Sequence, residues 1–403
     1  MTIKRLDKTR IEELHRTMSG YVERRDIPGI VTLIGRGDEI HVDAVGTKTI
    51  EGTDPIARDT IFRIASISKP IAAAATMILV DDARLRLDDS VERWLPELAN
   101  RRVLREIGSP LDDTVPAQRS ITVRDVLTST FGFGSVMAMP GTYFIQQPIK
   151  DGRLGGDGPP HPSLIPGTDE WLSRLGALPL MYQPGERWLY NTSCDVLGVL
   201  TGRVSGKSFG TFLRERLFEP LGMKDTGFSV PASKLHRLPV LYQFNHANKT
   251  FEVFDSAEKS EYSHPPVFES GAGGLVSTAD DYYAFCRMML NKGVWAGERI
   301  LSETSVALMT SDQLLPEQRV GAEIFFGSHG SWGFGMGVDI QRDKPWQVPG
   351  RFGWDGGFGT SAYSDPQNDF VGILLTQRMM DSPEPPAVFQ DFWSQAYRSI
   401  EAA

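Results

Sequence analysis

Two residues of the stretch RIASISKP (63–70), Ser66 and Lys69, have the types and spacing of a nucleophile and its proton acceptor. The apolar run IAAAATMILV that follows predicts a helix starting here, with Pro70 in its first turn. Positions i and i+3 of such a helix share one face. The positive end of a helix dipole and burial both disfavour an ammonium. Lys69 could then take the Ser66 proton while the same dipole favours a developing oxyanion. The same residues also read as an N-capping serine with a structural lysine nearby. Spacing alone does not choose, because a second copy, Ser256-Ala257-Glu258-Lys259, sits in the charged segment FDSAEKSEYSHPP and reads as a solvated loop.

Three further stretches carry candidate chemistry. Gly206-Lys207-Ser208-Phe209-Gly210 fits the G-x-S-x-G elbow, which requires a strand entering and a helix leaving. Here CDVLGVLTGRV before it and TFLRERLF after it are both helical in pattern, so a helix–turn–helix connection is expected instead. In PGERWLYNTSCDVLG (184–198), Tyr190 stands where a turn meets an apolar helix. Its phenol could shuttle a proton, or its ring could simply anchor the helix. In FGWDGGFGTSAY (352–363), glycines around Trp354 and Asp355 leave bare backbone on or beside a strand, either for a ligand's approach or for an edge bulge.

Other chemistries find little support. The seven histidines are scattered with no zinc-ligand spacing, and only Cys194 and Cys286 are present, so neither a metal nor another cofactor is expected. A net charge of −9 without a basic cluster argues against nucleic-acid binding. The N-terminus, MTIKRLDKTRIEELHRTM, lacks the apolar core of a secretory signal, and residues 71–80 are too few to span a bilayer. A cytoplasmic protein without membrane contact is the expectation; composition leaves the oligomeric state open.

The elements that must position these residues are legible in outline. IPGIVTLIGRGDEIHVDAVG predicts a β-hairpin turning at Arg36-Gly37-Asp38. Strands are expected again from Trp332 to Ile340 and in GTSAYSDPQNDFVGILLTQ, with a turn at 365–368. Helices are expected at about 7–25 and 386–400, and between them at 69–84, 122–129, 168–176, 192–204, 209–217 and 279–292. The pattern implies an α+β fold: an antiparallel sheet from both chain ends, residues 1–70 and 265–403, flanked by helices and carrying a mainly helical inserted domain, 71–264. The Gly- and Pro-rich segment 150–168 reads as irregular, a lid-like or ordered surface loop.

Taken in order, the motifs at 66–69, 190 and 354–356 resemble those of the serine β-lactamase and penicillin-binding protein superfamily. IPGIVTLIGRGDEI, ITVRDVLTSTFGFG, LFEPLGMKDTGF and GAGGLVSTADD extend the resemblance from about residue 20 to 380. It implies Ser66 as nucleophile, Lys69 as its base partner, Tyr190 as the catalytic tyrosine and Trp354-Asp355-Gly356 in place of the K-T-G strand. Gly357 then matches the residue whose N–H joins that of Ser66 in the oxyanion hole. Two departures stand out. The tyrosine motif is Tyr190-Asn191-Thr192 rather than Tyr-x-Asn, and Trp354 replaces a lysine that binds carboxylates as a point charge. An aromatic there is similar to the family VIII carboxylesterases, relatives of class C β-lactamases that prefer uncharged short-chain esters. The resemblance thus implies an esterase with a small ester (or lactam or amide) as partner. A β-lactamase, a D-amino-acid amidase or peptidase, and an acyltransferase are alternatives within the fold; an acylated sensor or a scaffold is the non-catalytic one. Phe131, Phe133, Trp354 and Phe358 are candidate pocket walls, or core.

Overall fold

A computed structural model describes residues 5–155 and 161–401. Seven strands form one antiparallel sheet: β1 (Gly29–Arg36), β2 (Glu39–Gly46), β3 (Gly330–Trp332), β4 (Gly337–Asp339), β5 (Phe352–Gly356), β6 (Thr360–Asp365) and β7 (Phe370–Thr376). Their order is β3-β4-β5-β6-β7-β1-β2, so strands from both ends of the chain meet at the β7–β1 pair. The architecture is α+β, as the sequence pattern implies, and the hairpin turns at Arg36-Gly37-Asp38 as expected.

Strand β1 shows why this sheet has helices on both faces. All eight of its residues are buried. Val31 and Leu33 point into one core while Ile30 and Ile34 point into another, the two-residue alternation of a strand. The second core is closed by helices α1 (Lys8–Glu23) and α8 (Ala387–Glu401), which pack on each other. The first core is much larger. It takes in α2 (Lys69–Asp81), α5 (Thr192–Ser205) and α7 (Ala279–Leu290).

Helix α2 is buried on every side over its first eleven residues, from Lys69 to Leu79. Its alanines suit that place, since they favour helix and let neighbouring backbones come close. The other helices of the middle region that bear on the site are α3 (Gln146–Gly152), α4 (Thr168–Ala177) and α6 (Phe209–Leu213). The segment 150–168 is less irregular than its composition suggests. Residues 150–152 complete α3, Arg153 caps it in the left-handed conformation, and Pro162–Leu164 form a short 3-10 turn. Pro148 falls in the first turn of this helix, where its missing N–H costs no intrahelical bond, and the left-handed Arg153 ends it. Residues 156–160 of that segment lie outside the described residues.

One buried ion pair ties residues 239–261 to the strand that leads into the Ser66 turn. Arg63, from the two-residue strand Phe62–Arg63, donates through Nε to Asp255 Oδ2 at 2.5 Å and through Nη1 to the Pro239 carbonyl at 2.7 Å. Asp255 also accepts from Ser260 Oγ (2.6 Å) and from the backbone N–H of Glu261 (3.0 Å). Removing one partner of such a pair leaves an uncompensated buried charge. Asp255→Ala should therefore lose about 3–5 kcal/mol of stability by denaturant unfolding, whereas the double variant Arg63→Met/Asp255→Leu should recover most of it.

Candidate active site

The Ser66 turn is short and strained. Ala65–Ser68 form a 3-10 turn that runs straight into α2, and Ala65 adopts φ +45°, a left-handed conformation that costs a residue with a Cβ. Two hydrogen bonds hold the turn: Tyr282 Oη donates to the Ile67 carbonyl (2.8 Å), and Leu275 N–H donates to Ser68 Oγ (3.2 Å). Ser66 therefore does not cap the helix; Ser68 occupies the N-cap position and makes no side-chain capping bond.

Lys69 is fully buried, at 0% exposure, and its Nζ has three neighbours. It is hydrogen-bonded to Ser66 Oγ at 2.8 Å and donates to the Ala272 carbonyl at 2.6 Å. The Tyr190 ring lies across it, 4.6 Å from Nζ to the ring centre. Ala272 is held in turn by Asp195 on α5, whose Oδ1 accepts from Ala272 N–H (3.0 Å) and Ser270 Oγ (2.6 Å). Burial raises the Asp195 carboxyl above its ordinary range, against the pull of these donors. Glycine is required at 271, because a Cβ there would stand 2.2 Å from the Cys194 carbonyl oxygen. Its absence lets the 270–272 loop lie against α5 and reach Lys69.

Tyr190 enters the site on a tight turn. Asn191 has φ +81° and ψ −71°, and Thr192 N–H donates to the Tyr190 carbonyl at 3.2 Å, the geometry of a γ-turn. With Asn directly after Tyr, this turn leaves both residues bordering the cavity that also contains Ser66. Trp354 reaches Tyr190 from β5, its indole N–H donating to the phenol oxygen at 2.9 Å. The indole is only 7% exposed and packs edge-on against Trp332, with ring centres 4.8 Å apart.

Glycine is also required at 356, where a Cβ would come within 2.2 Å of Thr360 Oγ1 and 2.6 Å of the Ile64 carbonyl. The close approach brings the end of β5 against the Ser66 turn, and Thr360 Oγ1 donates to that same carbonyl at 2.9 Å. Gly356 is thus a packing residue rather than one that borders the cavity. Gly357 does border it, with open space where its side chain would be. Neither its N–H nor that of Ser66 has an acceptor among the described residues.

These groups open on a cavity of about 1050 Å³. Trp354, Asp355, Phe358, Tyr190 and Ser66 border it, but Phe131 and Phe133 do not. Both are 0% exposed and belong to the main core, a correction to their reading as pocket walls; an apolar residue carries no mark of whether a void or another side chain will face it. Phe325, which no motif singles out, forms wall instead, with its ring 4.6 Å from that of Tyr190. Asp195 belongs to no motif either, although an aspartate in the apolar helix TSCDVLGVL is a visible irregularity. The two decoys behave as expected: Ser256 Oγ accepts from Lys259 N–H in a loop, and Ser208 caps α6 after the left-handed Gly206 ends α5. Among the described residues no group of three or more His, Cys, Asp or Glu is placed to hold a metal ion, and no helix is long and apolar enough to cross a membrane.

A serine bonded to a buried lysine, with a tyrosine ring over that lysine, is a layout suited to a serine nucleophile and its proton acceptors. The Beta-lactamase family profile matches residues 14–390, and the chain belongs to that family. Protein Rv1367c of Mycobacterium tuberculosis (strain ATCC 25618 / H37Rv) is 36% identical over 370 residues, covering 88% of this chain and 87% of its own. Esterase EstB of Burkholderia gladioli is 29% identical over 382 residues, 90% of this chain and 89% of its own. Among solved structures, EstCE1, described as a hydrolase with promiscuous acyltransferase activity, superposes with a TM-score of 0.79. It is 23% identical, covering 96% of this chain and 99% of its own, and so speaks for the fold alone.

The electrostatics of the site yield a stability test at Asp355. Burial raises its carboxyl from an ordinary 3.8 to about 6, opposed by its hydrogen bond from Ser361. Between those values the folded protein holds a proton that the unfolded chain has released, so this group's contribution to stability falls as pH rises from about 4 to about 6. Asp355→Asn lacks that titration. Its stability relative to wild type should increase across the same window, on the order of 2 kcal/mol, in denaturant unfolding at pH 4 and pH 7.5.

Proposed function

We propose that this protein is a serine carboxylesterase acting on short esters that carry no carboxylate, in the manner of the family VIII enzymes. Ser66 Oγ attacks the ester carbonyl carbon, and its proton passes to the Lys69–Tyr190 pair as the new C–O bond forms. The carbonyl oxygen takes the displaced electron pair and is stabilised by the N–H groups of Ser66 and Gly357. The tetrahedral species collapses, the C–O bond to the alcohol breaks, and Tyr190 Oη, backed by Lys69, returns the proton to the departing oxygen. Water then attacks the acyl-enzyme by the same route, releasing the acid and restoring Ser66.

The observation that carries this reading is the Trp354 indole bonded to the Tyr190 phenol at 2.9 Å. It puts a neutral donor where the lysine of a K-T-G strand would present a cation to a substrate carboxylate. The indole still supplies the phenol oxygen with a hydrogen bond, which fixes its position for proton transfer. The likeness to Esterase EstB over most of both chains points the same way.

Wild type and Ser66→Ala, given p-nitrophenyl acetate, p-nitrophenyl butyrate and a chromogenic cephalosporin, separate the alternatives when turnover and intact mass are followed together. Ester turnover should fall at least about 10³-fold in Ser66→Ala, with a butyryl adduct trapped only on wild type. Turnover that survives Ser66→Ala removes the assignment, and fast cephalosporin cleavage removes the preference for esters without a carboxylate. Trp354→Phe should lower kcat for p-nitrophenyl butyrate about tenfold with little change in KM, since one hydrogen bond to the proton-transferring phenol is lost.

A further inference from the structure

We propose that Asp355 is a cation-recognising subsite for the alcohol half of the substrate, so that the preferred esters are those of amino alcohols carrying an ammonium group. The proposal rests on the esterase reading of Ser66 and adds a substrate class to it.

The free edge of β5 makes such a subsite accessible. Strand β4 pairs with residues 352 and 353 only, leaving 354–356 without a partner on that side. Trp354 and Asp355 point to opposite faces of the strand, yet both border the same cavity, which therefore wraps around this edge. Trp354 faces the catalytic side, where its N–H holds Tyr190, the group assigned to hand a proton to the departing alcohol. Substituents on that alcohol thus lie near Trp354, one residue before Asp355 on the same unpaired edge of the cavity.

The carboxyl of Asp355 is oriented but not neutralised. Oδ1 accepts from Ser361 Oγ at 2.5 Å, and Oδ2 is 3.5 Å from Tyr363 Oη. Ser361 Oγ itself accepts from Trp393 Nε1 at 2.9 Å, which turns its hydroxyl proton toward Asp355. The guanidinium of Arg351 is committed elsewhere: it bonds Asp339 at 2.8 Å and lies on the rings of Tyr363 (3.8 Å) and Trp393 (4.4 Å). Among the described residues no Lys, Arg or His forms an ion pair with Asp355. Asp381, which borders the same cavity, is itself acidic and already pairs with Arg378 and His246. Lys150 and Arg153, cations of the cavity wall with no ion pair among the described residues, belong to the α3 segment rather than to β5. The Arg351 charge favours the carboxylate without a direct ion pair to it, so a contact position for an ammonium in the cavity wall is left unfilled. A substrate carboxylate in the same place is repelled.

Butyrate esters of choline, of 3,3-dimethylbutanol (the same shape with carbon in place of nitrogen) and of 3-hydroxypropanoate test this at pH 7.5 by titration of released acid. Wild type should show kcat/KM for the choline ester about tenfold above the carbon isostere, and for the anionic ester about tenfold below it. In D355N both ratios should approach one; because each ratio is taken within one variant, any loss common to all substrates cancels. D355S serves equally if D355N does not fold, and the wild-type ratios stand by themselves. A choline ester no faster than its isostere in wild type, or ratios retained in a folded Asp355 variant, overturns the subsite. Hydrolysis of the carbon isostere that persists in Ser66→Ala overturns instead the esterase reading beneath it.

Discussion

A lysine with no access to water must find partners for its Nζ inside the protein, and the architecture around Lys69 is organised by that requirement. The Ser66 hydroxyl, the Ala272 carbonyl and the face of Tyr190 come from three stretches of chain far apart in sequence. Each must be delivered within a few tenths of an ångström for the buried group to be tolerated at all. The same contacts bring a hydroxyl, an amine and a phenol into one unit, so the solution to a desolvation problem is also the arrangement on which the proposed esterase chemistry draws.

Delivery depends on places where side chains are missing or strained. Gly271 lets the 270–272 loop settle on α5, where Asp195 fixes it, and Gly356 lets β5 touch the Ser66 turn. Ala65 accepts a left-handed conformation just before the nucleophile, and Asn191 does so just after the tyrosine. Such strain persists only because the surrounding sheet and helices over-determine it. The central β7–β1 pair, buried on both faces, supplies that rigidity.

The WDG stretch shows how one strand serves two electrical purposes. Trp354 contributes a neutral N–H to the phenol on one face, and Asp355 presents a carboxyl with only hydroxyl donors on the other. Substituting tryptophan for a lysine at this place removes a cation without removing a donor.

The sequence by itself determined what depends on near neighbours. The hairpin at 36–38, the helices from 69 and 192, and the helix–turn–helix at 206–210 follow from periodicity, turn residues and caps, all local properties. It also marked Ser66, Lys69 and Tyr190 through motifs set in the right order. Tertiary structure alone decided which atoms meet. Trp354 and Tyr190 are 164 residues apart and nothing local to either announces their bond. Phe131 and Phe133 fill core while Phe325 lines the cavity, although the three share one chemistry. Apolar burial is non-directional, so a phenylalanine's place is set by the volume other elements leave to it. A hydrogen bond needs two groups brought together from afar, and only the closed sheet does that.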